Sequence, residues 1–221
     1  MIQILSTRSL SEMYQRRIID VGAEYQEYDA IEIEYLDFTW NSSFVNLIFT
    51  SQNAVEAFLK NPNSKDYQAI RYKCFCVGSK TKVLLERNNF HVVACSDNSK
   101  TLAENIVANY FSLSFLYFCG NMRREELPKL LKNSSIALKE IVVYKTHLNV
   151  LSFTSNFDIV LFYSPSGVES YTRLNNLENS IAFCIGSTTA KEAQKKGGEI
   201  KVAKKPTKEN LIIELINYLK N

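Results

Sequence analysis

The feature that most constrains this sequence is an internal repeat, in which two different segments recur in the same order. Residues 47–58 (LIFTSQNAVEAF) resemble residues 160–171 (VLFYSPSGVESY), which lie about 113 positions later. Residues 75–81 (FCVGSKT) resemble residues 183–189 (FCIGSTT), at an offset of about 108. Two matches with nearly the same offset indicate two copies of one α/β unit. A chain of 221 residues is long enough for two such lobes, each with a core of its own.

Each copy has the pattern of a buried strand, a polar turn and a helix. Residues 45–50 and 159–163 are largely apolar runs, which are typical of parallel strands covered on both faces. The same alternation of strands and helices extends from residue 2 to residue 219. We therefore predict an α/β fold with two similar Rossmann-like lobes, each built on a parallel, flavodoxin-like sheet.

Two stretches alternate polar and apolar residues with a period of two. They are residues 32–38 and 136–146, and such alternation is typical of half-exposed strands. We predict that they pair as a two-stranded β-ladder, which joins the lobes as a hinge. The predicted domains are residues 1–34 plus 149–221 for lobe 1, residues 40–134 for the inserted lobe 2, and residues 35–39 and 135–148 for the hinge strands.

Composition and charge argue against several kinds of partner. The net charge of +3 is too small for a dedicated nucleic-acid binder, whose basic residues normally cluster on one face. Five cysteines, an odd number, are typical of reduced thiols inside a cell. Cys74 and Cys76 form a C-x-C pair, but no second pair has the spacing of a metal site, so we interpret them as small buried strand residues. We predict no metal ion and no nucleic acid.

The hydropathy of the chain argues against a membrane. No apolar stretch approaches the roughly 18 residues that a spanning helix needs. Residues 1–5 run directly into Arg8 without the layout of a signal peptide. We therefore expect a cytoplasmic protein with no membrane partner.

Hydroxyl side chains occur where the predicted strands end. In parallel α/β sheets, ligands collect at the carboxyl ends of the strands, next to helix N-termini with free N–H groups and positive partial charge. Such hydroxyls can bind carboxylate or phosphate oxygens or can simply cap the helices, and the sequence leaves both possibilities open. Their recurrence at equivalent turns of both lobes favours ligand binding. The candidates are Thr50, Ser51, Ser79 and Thr81 in one lobe and Ser164, Ser166, Ser187, Thr188 and Thr189 in the other.

Other catalytic patterns are missing from the sequence. The two histidines, His91 and His147, belong to no Ser-His-Asp pattern and no metal-binding helix, so we interpret both as structural. No G-x-G-x-x-G or G-x-x-x-x-G-K-[ST] motif follows a strand, which argues against a nucleotide cofactor. Arg123 and Arg124 follow Cys119-Gly120-Asn121 near a predicted helix start, where a cation opposes the helix dipole unless an anion is bound. We expect one of these arginines to be an ordinary surface charge.

Six short motifs follow one another along the chain: Phe49-Thr50-Ser51, Val77-Gly78-Ser79-Lys80-Thr81, Cys119-Gly120-Asn121, Val143-Tyr144-Lys145-Thr146, and residues 162–167 and 185–190. Their order resembles the uroporphyrinogen-III synthase family over essentially the whole chain. Each motif alone is weak evidence, whereas their order and compatible spacing together are strong evidence. The chain departs from the family pattern at Gln52-Asn53, where the family often has Pro-Arg, and at Ser187, where it often has proline.

The resemblance implies a lyase without cofactor or metal, which closes linear hydroxymethylbilane, bound between the two lobes, to uroporphyrinogen III. In this reaction the substrate loses its terminal hydroxyl, and the substituted carbon of the last pyrrole attacks the resulting electrophile. A spiro intermediate then fragments and recloses with that ring inverted. In water alone the bilane closes without inversion, so the protein must act chiefly by positioning the substrate, assisted by proton donation.

The resemblance also implies roles for particular residues. Tyr144 is implied as the acid or hydrogen-bond donor to the departing hydroxyl, although a strand tyrosine can also be a simple packing residue. Thr81 and Thr189 are implied as substrate contacts, with Ser51 and Ser164 behind them. We expect a monomer that makes at most a transient contact with the deaminase that precedes it in the pathway. The further candidates for substrate binding are Ser79, Thr188 and Arg124.

Two other functions remain open on the sequence alone. A non-catalytic two-lobed module that closes on an anionic small molecule would have a similar sequence, but it would not need Tyr144 and Thr81 together with the Cys119-Gly120-Asn121 turn. A Rossmann-like transferase that uses a nucleotide is disfavoured by the missing glycine motif.

Overall fold

The computed structural model describes residues 1–40, 44–64 and 71–220. The chain divides into two compact units. Because both ends of unit 2 continue into unit 1, unit 2 is an insertion in the chain of unit 1. Unit 1 comprises Met1–Glu32 and His147–Asn221, and unit 2 comprises Ile33–Thr146.

Strands and helices alternate along most of the described chain, within a few residues of most of the predicted segments. In chain order the elements are β1 (Gln3–Ser6), α1 (Glu12–Ile19), β2 (Glu24–Glu27), β3 (Ile31–Tyr35), β4 (Asn46–Phe49), α2 (Gln52–Lys60), β5 (Lys73–Val77), α3 (Ser79–Arg87), β6 (His91–Ser96), α4 (Ser99–Asn109), β7 (Phe115–Gly120), α5 (Glu126–Asn133), β8 (Leu138–Leu148), β9 (Ile159–Phe162), α6 (Pro165–Tyr171), β10 (Ile181–Cys184), α7 (Ser187–Gln194), β11 (Glu199–Val202) and α8 (Lys208–Lys220). The exceptions to the alternation are β2, β3 and β4, which follow one another without a helix, and β9, which follows β8 directly. A short 3-10 turn at Pro62–Ser64 lies between α2 and β5.

Unit 1 contains a five-stranded sheet in the order β11-β10-β9-β1-β2, and its strands are parallel. The central strand β9 is buried along its whole length, as expected of an apolar run that is covered on both faces. Strand β2 is not among the predicted strands, because Glu24-Tyr25-Gln26-Glu27 contains no apolar run. This strand lies at the edge of the sheet, where half-exposed polar residues are tolerated.

Unit 2 contains a six-stranded sheet in the order β3-β8-β7-β4-β5-β6, and β8, β7, β4, β5 and β6 are parallel to one another. The predicted pairing of the two half-exposed strands is confirmed, since β3 and β8 are neighbours. Just after β3, the N–H of Leu36 donates to the carbonyl oxygen of Val143 at 3.0 Å. Strand β8 also pairs with β7, so the predicted ladder is continuous with the sheet of unit 2. The predicted α/β fold with parallel sheets is confirmed.

The sequence repeat corresponds to a structural repeat. Strands β1, β9, β10 and β11 lie in the same order in unit 1 as β7, β4, β5 and β6 do in unit 2. Within the repeated segments, Leu161 of β9 corresponds to Ile48 of β4. Leu161 pairs with Ser6 of β1, and Ile48 pairs with Tyr117 of β7. Ser6 and Tyr117 therefore occupy equivalent positions, although the sequences around them are not alike.

Aromatic rings fill the core of unit 2. The ring of Phe118 on β7 stacks on Phe49 of β4 at 5.3 Å between centroids and lies 5.0 Å from the ring of Phe58 on α2. Phe38 and Trp40, which follow β3, cover the same ring at centroid distances of 5.6 and 5.8 Å. Because Phe118 contacts all four rings, it packs β7 against β4, α2 and the segment after β3.

Gly198 has no room for a side chain in the turn before β11. Its φ is +86°, and a Cβ would lie 2.4 Å from the carbonyl oxygen of Leu177 and 2.9 Å from that of Ser180. Gly197 has the same φ, but nothing lies within 4 Å of a Cβ there. We expect Gly197→Ala to lower the free energy of unfolding by about 1–2 kcal/mol, the backbone cost alone, and Gly198→Ala by ~3 kcal/mol or more. Urea unfolding measures both, and equal losses would contradict the overlap.

Candidate active site

A group of hydroxyl side chains in unit 2 comes from the turn after β4 and from strands β7 and β8. Thr50 follows β4, and its Oγ1 lies 2.8 Å from the Oη of Tyr117 on β7. Ser51 is the N-cap of α2, where its Oγ accepts a hydrogen bond from the N–H of Asn53 at 3.1 Å. Ser51 is also close enough to Tyr144 to lower the pKa of its hydroxyl. The structure therefore brings two predicted site residues, Ser51 and Tyr144, together.

Tyr144 lies on β8 opposite Gly120, at a point where the pairing of β7 with β8 shifts by one residue. Cys119 is opposite Val142, whereas Gly120 is opposite Tyr144, so Val143 is an extra residue in β8. A bulge of this kind changes the direction of the side chains that follow it. The half-buried ring of Tyr144 lies against the backbone of Gly120, because a Cβ on Gly120 would be 2.4 Å from the Tyr144 Cζ.

The surroundings of Tyr144 keep its hydroxyl protonated. Burial raises the pKa of Tyr144 above its ordinary value of 10.0, while hydrogen bonding with Ser51 lowers that pKa and the nearby Cys119 raises it. Burial also raises the pKa of the Cys119 thiol to about 11. Both groups therefore hold their protons at neutral pH. The site offers an undissociated hydroxyl that can donate to a departing group.

The two arginines after the Cys119-Gly120-Asn121 turn have different surroundings. Arg123 forms ion pairs with Glu125 and with Glu140 of β8, so its charge is compensated within the unit. Arg124 is exposed just before α5, and it makes no ion pair with any residue that the structure describes. Arg124 is therefore the arginine whose guanidinium is available to an anionic ligand.

Helices α3 and α7 begin in the same way in the two units. Each has a glycine as its N-cap, Gly78 or Gly186, and so has no side-chain cap. The third helical residue is Thr81 in α3 and Thr189 in α7. The first is 4% exposed and the second is 3% exposed. Within the described ranges, neither threonine hydroxyl has a hydrogen-bond partner. Free helical N–H groups next to an unused hydroxyl form a suitable site for a carboxylate.

Two further predicted site residues lie in the first turns of these helices. Ser79 is the first residue of α3, and Thr188 is the second residue of α7. Both are exposed, so both are accessible to a ligand at those helix ends.

The carboxyl ends of β9 and β1 carry an equivalent pair of hydroxyls in unit 1. Tyr163 follows β9, and its Oη lies 3.1 Å from the Oγ of Ser6 on β1. By the register of the two sheets, Tyr163 corresponds to Thr50 and Ser6 corresponds to Tyr117. The same hydrogen-bonded contact is thus present in both units. The tyrosine follows β9 in unit 1, whereas in unit 2 it lies on β7, the strand equivalent to β1.

Ser164 caps α6 as Ser51 caps α2. Its Oγ accepts a hydrogen bond from the N–H of Gly167 at 3.0 Å and lies 3.1 Å from the Oγ of Ser166. The capping role that the sequence left open is therefore present in both units. Capping does not exclude ligand binding, because a hydroxyl whose oxygen accepts can still donate its proton.

The two cross-strand hydroxyl pairs are not visible in the sequence, although Thr50 is one of the predicted hydroxyl candidates. Thr50 and Tyr163 occupy the same place in the repeated segments, so comparing the two copies gives a signal for one member of each pair. Tyr117 and Ser6 lie outside the segments that are similar in sequence. Only the pairing of the strands reveals them.

Among residues 1–40, 44–64 and 71–220, no group of three or more His, Cys, Asp or Glu side chains is placed to hold a metal ion. Cys74 and Cys76 are buried residues of β5, as predicted. No helix in the described ranges is both long enough and apolar enough to cross a bilayer.

Comparison with known families decides the classification of the chain. The family model described as "Uroporphyrinogen-III synthase HemD" matches residues 12–213. This chain belongs to the uroporphyrinogen-III synthase family. The predicted resemblance is therefore confirmed, and with it the class of enzyme, the cyclising lyases of tetrapyrrole and haem biosynthesis.

Solved structures of this family share the fold over essentially the whole chain. Uroporphyrinogen-III synthetase from Helicobacter pylori is 24% identical, with a TM-score of 0.72 and coverage of 99% of this chain and 100% of that chain. A mutant uroporphyrinogen III synthase from Thermus thermophilus is 9% identical, with a TM-score of 0.72 and coverage of 100% and 99%. The wild-type Thermus protein in a second crystal form is 11% identical, with a TM-score of 0.54 and coverage of 100% and 98%. At these identities the likeness supports the fold.

Proposed function

We propose that this chain converts hydroxymethylbilane into uroporphyrinogen III, with loss of one water molecule and inversion of the terminal pyrrole ring. The observation that carries the proposal is the family match over residues 12–213. The protonated hydroxyl of Tyr144, which lies opposite Gly120 at the end of β7, supports it with a group that can assist the first chemical step.

In that first step, Tyr144 donates to the terminal hydroxyl of the bilane. The carbon–oxygen bond breaks, and the oxygen takes up a proton and leaves as water, which gives the azafulvene electrophile. A phenol whose pKa is raised is fully protonated before the step, so the donor is always present at neutral pH. The last ring releases a proton when the macrocycle closes, and this proton restores the donor.

The later steps depend on position more than on further acid or base groups. The substituted carbon of the last pyrrole must reach the electrophile before the less hindered carbon does. Both reacting carbons already belong to one flexible molecule, so the protein acts by restricting the bilane to the conformation in which these two ends meet, which contributes a rate factor. A site built of hydroxyls and free N–H groups, rather than a catalytic triad, is consistent with this requirement.

The eight carboxylates of the tetrapyrrole are the groups that the protein can bind in order to position it. The first turns of α3 and α7 each combine uncapped N–H groups with an unused threonine hydroxyl, which suits a carboxylate oxygen. Arg124 adds a charge that no described acidic residue compensates. The proposed substrate contacts are Thr81, Ser79, Ser51 and Arg124 in unit 2 and Thr189, Thr188 and Ser164 in unit 1.

The proposed reaction is tested by the rate at which freshly prepared hydroxymethylbilane disappears. We expect the purified protein to consume it faster than buffer does, in proportion to protein concentration, and heat-denatured protein to have no effect. A non-catalytic binder of the same anion would leave the bilane to close at its spontaneous rate or more slowly. Either of those two outcomes would contradict the proposal.

The role of the two buried threonines predicts an effect on binding without a loss of stability. Thr81→Val and Thr189→Val replace a hydroxyl that has no described partner with a methyl group of similar shape. We expect the KM for hydroxymethylbilane to rise about 3- to 10-fold in each variant, the value of one hydrogen bond, with an unchanged Tm. Steady-state kinetics and thermal unfolding measure the two quantities.

Thr172→Val is the matched control for this pair. Its Oγ1 donates to the carbonyl oxygen of Val168 at 2.8 Å, and Thr172 is the C-cap of α6 rather than a residue of a helix N-terminus. We expect this variant to lose some stability and to keep the wild-type KM. An unchanged KM in both Thr81→Val and Thr189→Val would remove these residues from the binding site.

A further inference from the structure

The glycine of the Cys119-Gly120-Asn121 turn leaves the space in which the ring of Tyr144 lies. A Cβ built on Gly120 would be 2.4 Å from the Tyr144 Cζ, 2.6 Å from its Cε2 and 2.8 Å from its Oη. These distances are far below normal van der Waals contact, so even alanine would displace the ring. The φ of Gly120 does not require glycine, since it is not among the positive-φ positions of the described chain. The requirement for glycine therefore comes from the tyrosine.

The side chain of Asn121 holds the strand that carries Tyr144. Its Oδ1 accepts a hydrogen bond from the N–H of Thr146 at 2.8 Å, and its Nδ2 donates to the carbonyl oxygen of Thr146 at 3.4 Å. The backbone N–H of Asn121 donates to the carbonyl oxygen of Tyr144 at 3.2 Å. After β7 ends, Asn121 thus continues the ladder to β8 with its own amide group. Asn121 thereby fixes the backbone of β8 at Tyr144 and at Thr146.

The bulge and the turn act on the same side chain. The extra residue in β8 is Val143, directly before Tyr144, and it brings Tyr144 rather than Val143 opposite Gly120. Bulges are found next to active sites because they re-aim a side chain. Here the re-aimed ring meets a backbone surface without a side chain, which restricts its movement. The hydroxyl then lies beside Ser51.

We propose that Gly120 and Asn121 are positioning residues for the reaction, which hold the Tyr144 hydroxyl where the leaving group of the substrate is protonated. The proposal rests on the proposed function of Tyr144 as the donor. Neither residue needs to contact the substrate. They affect the reaction only by orienting the Tyr144 ring. Their effect on kcat can therefore be separated from any effect on folding.

The kinetic test is a double-mutant cycle between Gly120→Ala and Tyr144→Phe. We expect Gly120→Ala to lower kcat roughly 10-fold or more with a KM within about 2-fold of wild type, because misplacing a proton donor affects the chemical step. In the Tyr144→Phe background the same change should lower kcat by no more than about 2-fold, since the hydroxyl is already gone. Equal losses in the two backgrounds would overturn the proposal.

A second measurement tests the steric part without any assay of activity. We expect Gly120→Ala to lower the Tm by roughly 5 °C through overlap with the ring, and to lower it much less in a Tyr144→Ala background, where the ring is absent. If the Tm falls equally in both backgrounds, the ring is not what excludes the methyl group, and the proposal fails.

Asn61→Ala is the matched control for Asn121→Ala. Asn61 is buried in the same unit, and its Nδ2 donates to the carbonyl oxygen of Phe38 at 2.8 Å. We expect Asn61→Ala to lower the Tm and keep the wild-type kcat, and Asn121→Ala to lower kcat as well. Wild-type kcat in Asn121→Ala or Gly120→Ala would overturn the inference. If Tyr144→Phe keeps the wild-type kcat, the inference fails with the role of Tyr144, while bilane consumption by the wild type would still support the reaction.

Discussion

Replacing Tyr144 with phenylalanine is expected to lower kcat for hydroxymethylbilane by roughly ten- to a thousandfold, the usual contribution of one general acid. The change removes only the hydroxyl, so the ring still packs against Gly120 and the fold is preserved. The KM should stay within about 2-fold, because the loss affects the transition state rather than substrate binding. Steady-state kinetics on freshly prepared bilane measure both constants.

The control for this variant is Tyr35→Phe. Tyr35 lies on β3 of the same sheet, and its hydroxyl donates to Glu56 at 2.5 Å, so its removal changes an equivalent phenol that has no proposed role. We expect Tyr35→Phe to retain kcat. A Tyr144→Phe protein with wild-type kcat and an intact fold would exclude Tyr144 from the mechanism.

The raised pKa of Tyr144 also determines the sign of its pH dependence. A phenol whose pKa lies above 10.0 keeps its proton at every lower pH, and its donor function is lost only as the pH rises through the raised value. The donor therefore causes no alkaline loss of kcat between neutral pH and about 10. Any fall of kcat in that range must come from another group and should persist in Tyr144→Phe.

Replacing Phe118 with alanine should have the largest effect on stability. Its ring is fully buried and contacts Phe38, Trp40, Phe49 and Phe58, which come from separate parts of unit 2. A large-to-small change at such a position removes the transfer free energy and leaves a cavity, so we expect a loss of about 3–5 kcal/mol in the free energy of unfolding. Urea unfolding followed by circular dichroism provides the measurement.

Phe111→Ala serves as the control for Phe118→Ala. Phe111 is 70% exposed and lies after α4, so its removal leaves no cavity. We expect a change within about 0.5 kcal/mol. Similar losses in the two variants would show that the aromatic cluster does not carry the stability of unit 2.

The arrangement of strands and helices was largely predictable because the buried parallel strands are apolar runs followed by polar turns. Strand β9 is an example, since Ile159–Phe162 is fully apolar and fully buried. Strand β2 was not predictable, because Glu24–Glu27 has polar residues at both ends and one polar residue inside. It forms a strand only because it pairs with β1 at the edge of the sheet. The local sequence gives no information about such a partner.

The site was predictable in its chemistry but not in its geometry. Hydroxyl residues after the strands, such as Ser51 and Ser164, are visible in the repeat, and the structure places both as helix caps. The contact of Tyr144 with Gly120 depends on a bulge between β7 and β8, and the compensation of Arg123 by Glu140 depends on the same pairing. These partners are distant in sequence, so no local pattern identifies them.

Ring inversion distinguishes the proposed reaction from spontaneous closure, and the isomer composition of the product tests it most directly. Hydroxymethylbilane would be incubated with the purified protein, the products would be oxidised to porphyrins, and the isomers would be separated by chromatography. We expect predominantly the type III isomer, with type I as the product of a parallel reaction in buffer alone. Type I as the only product in the presence of the folded protein would contradict the proposed function.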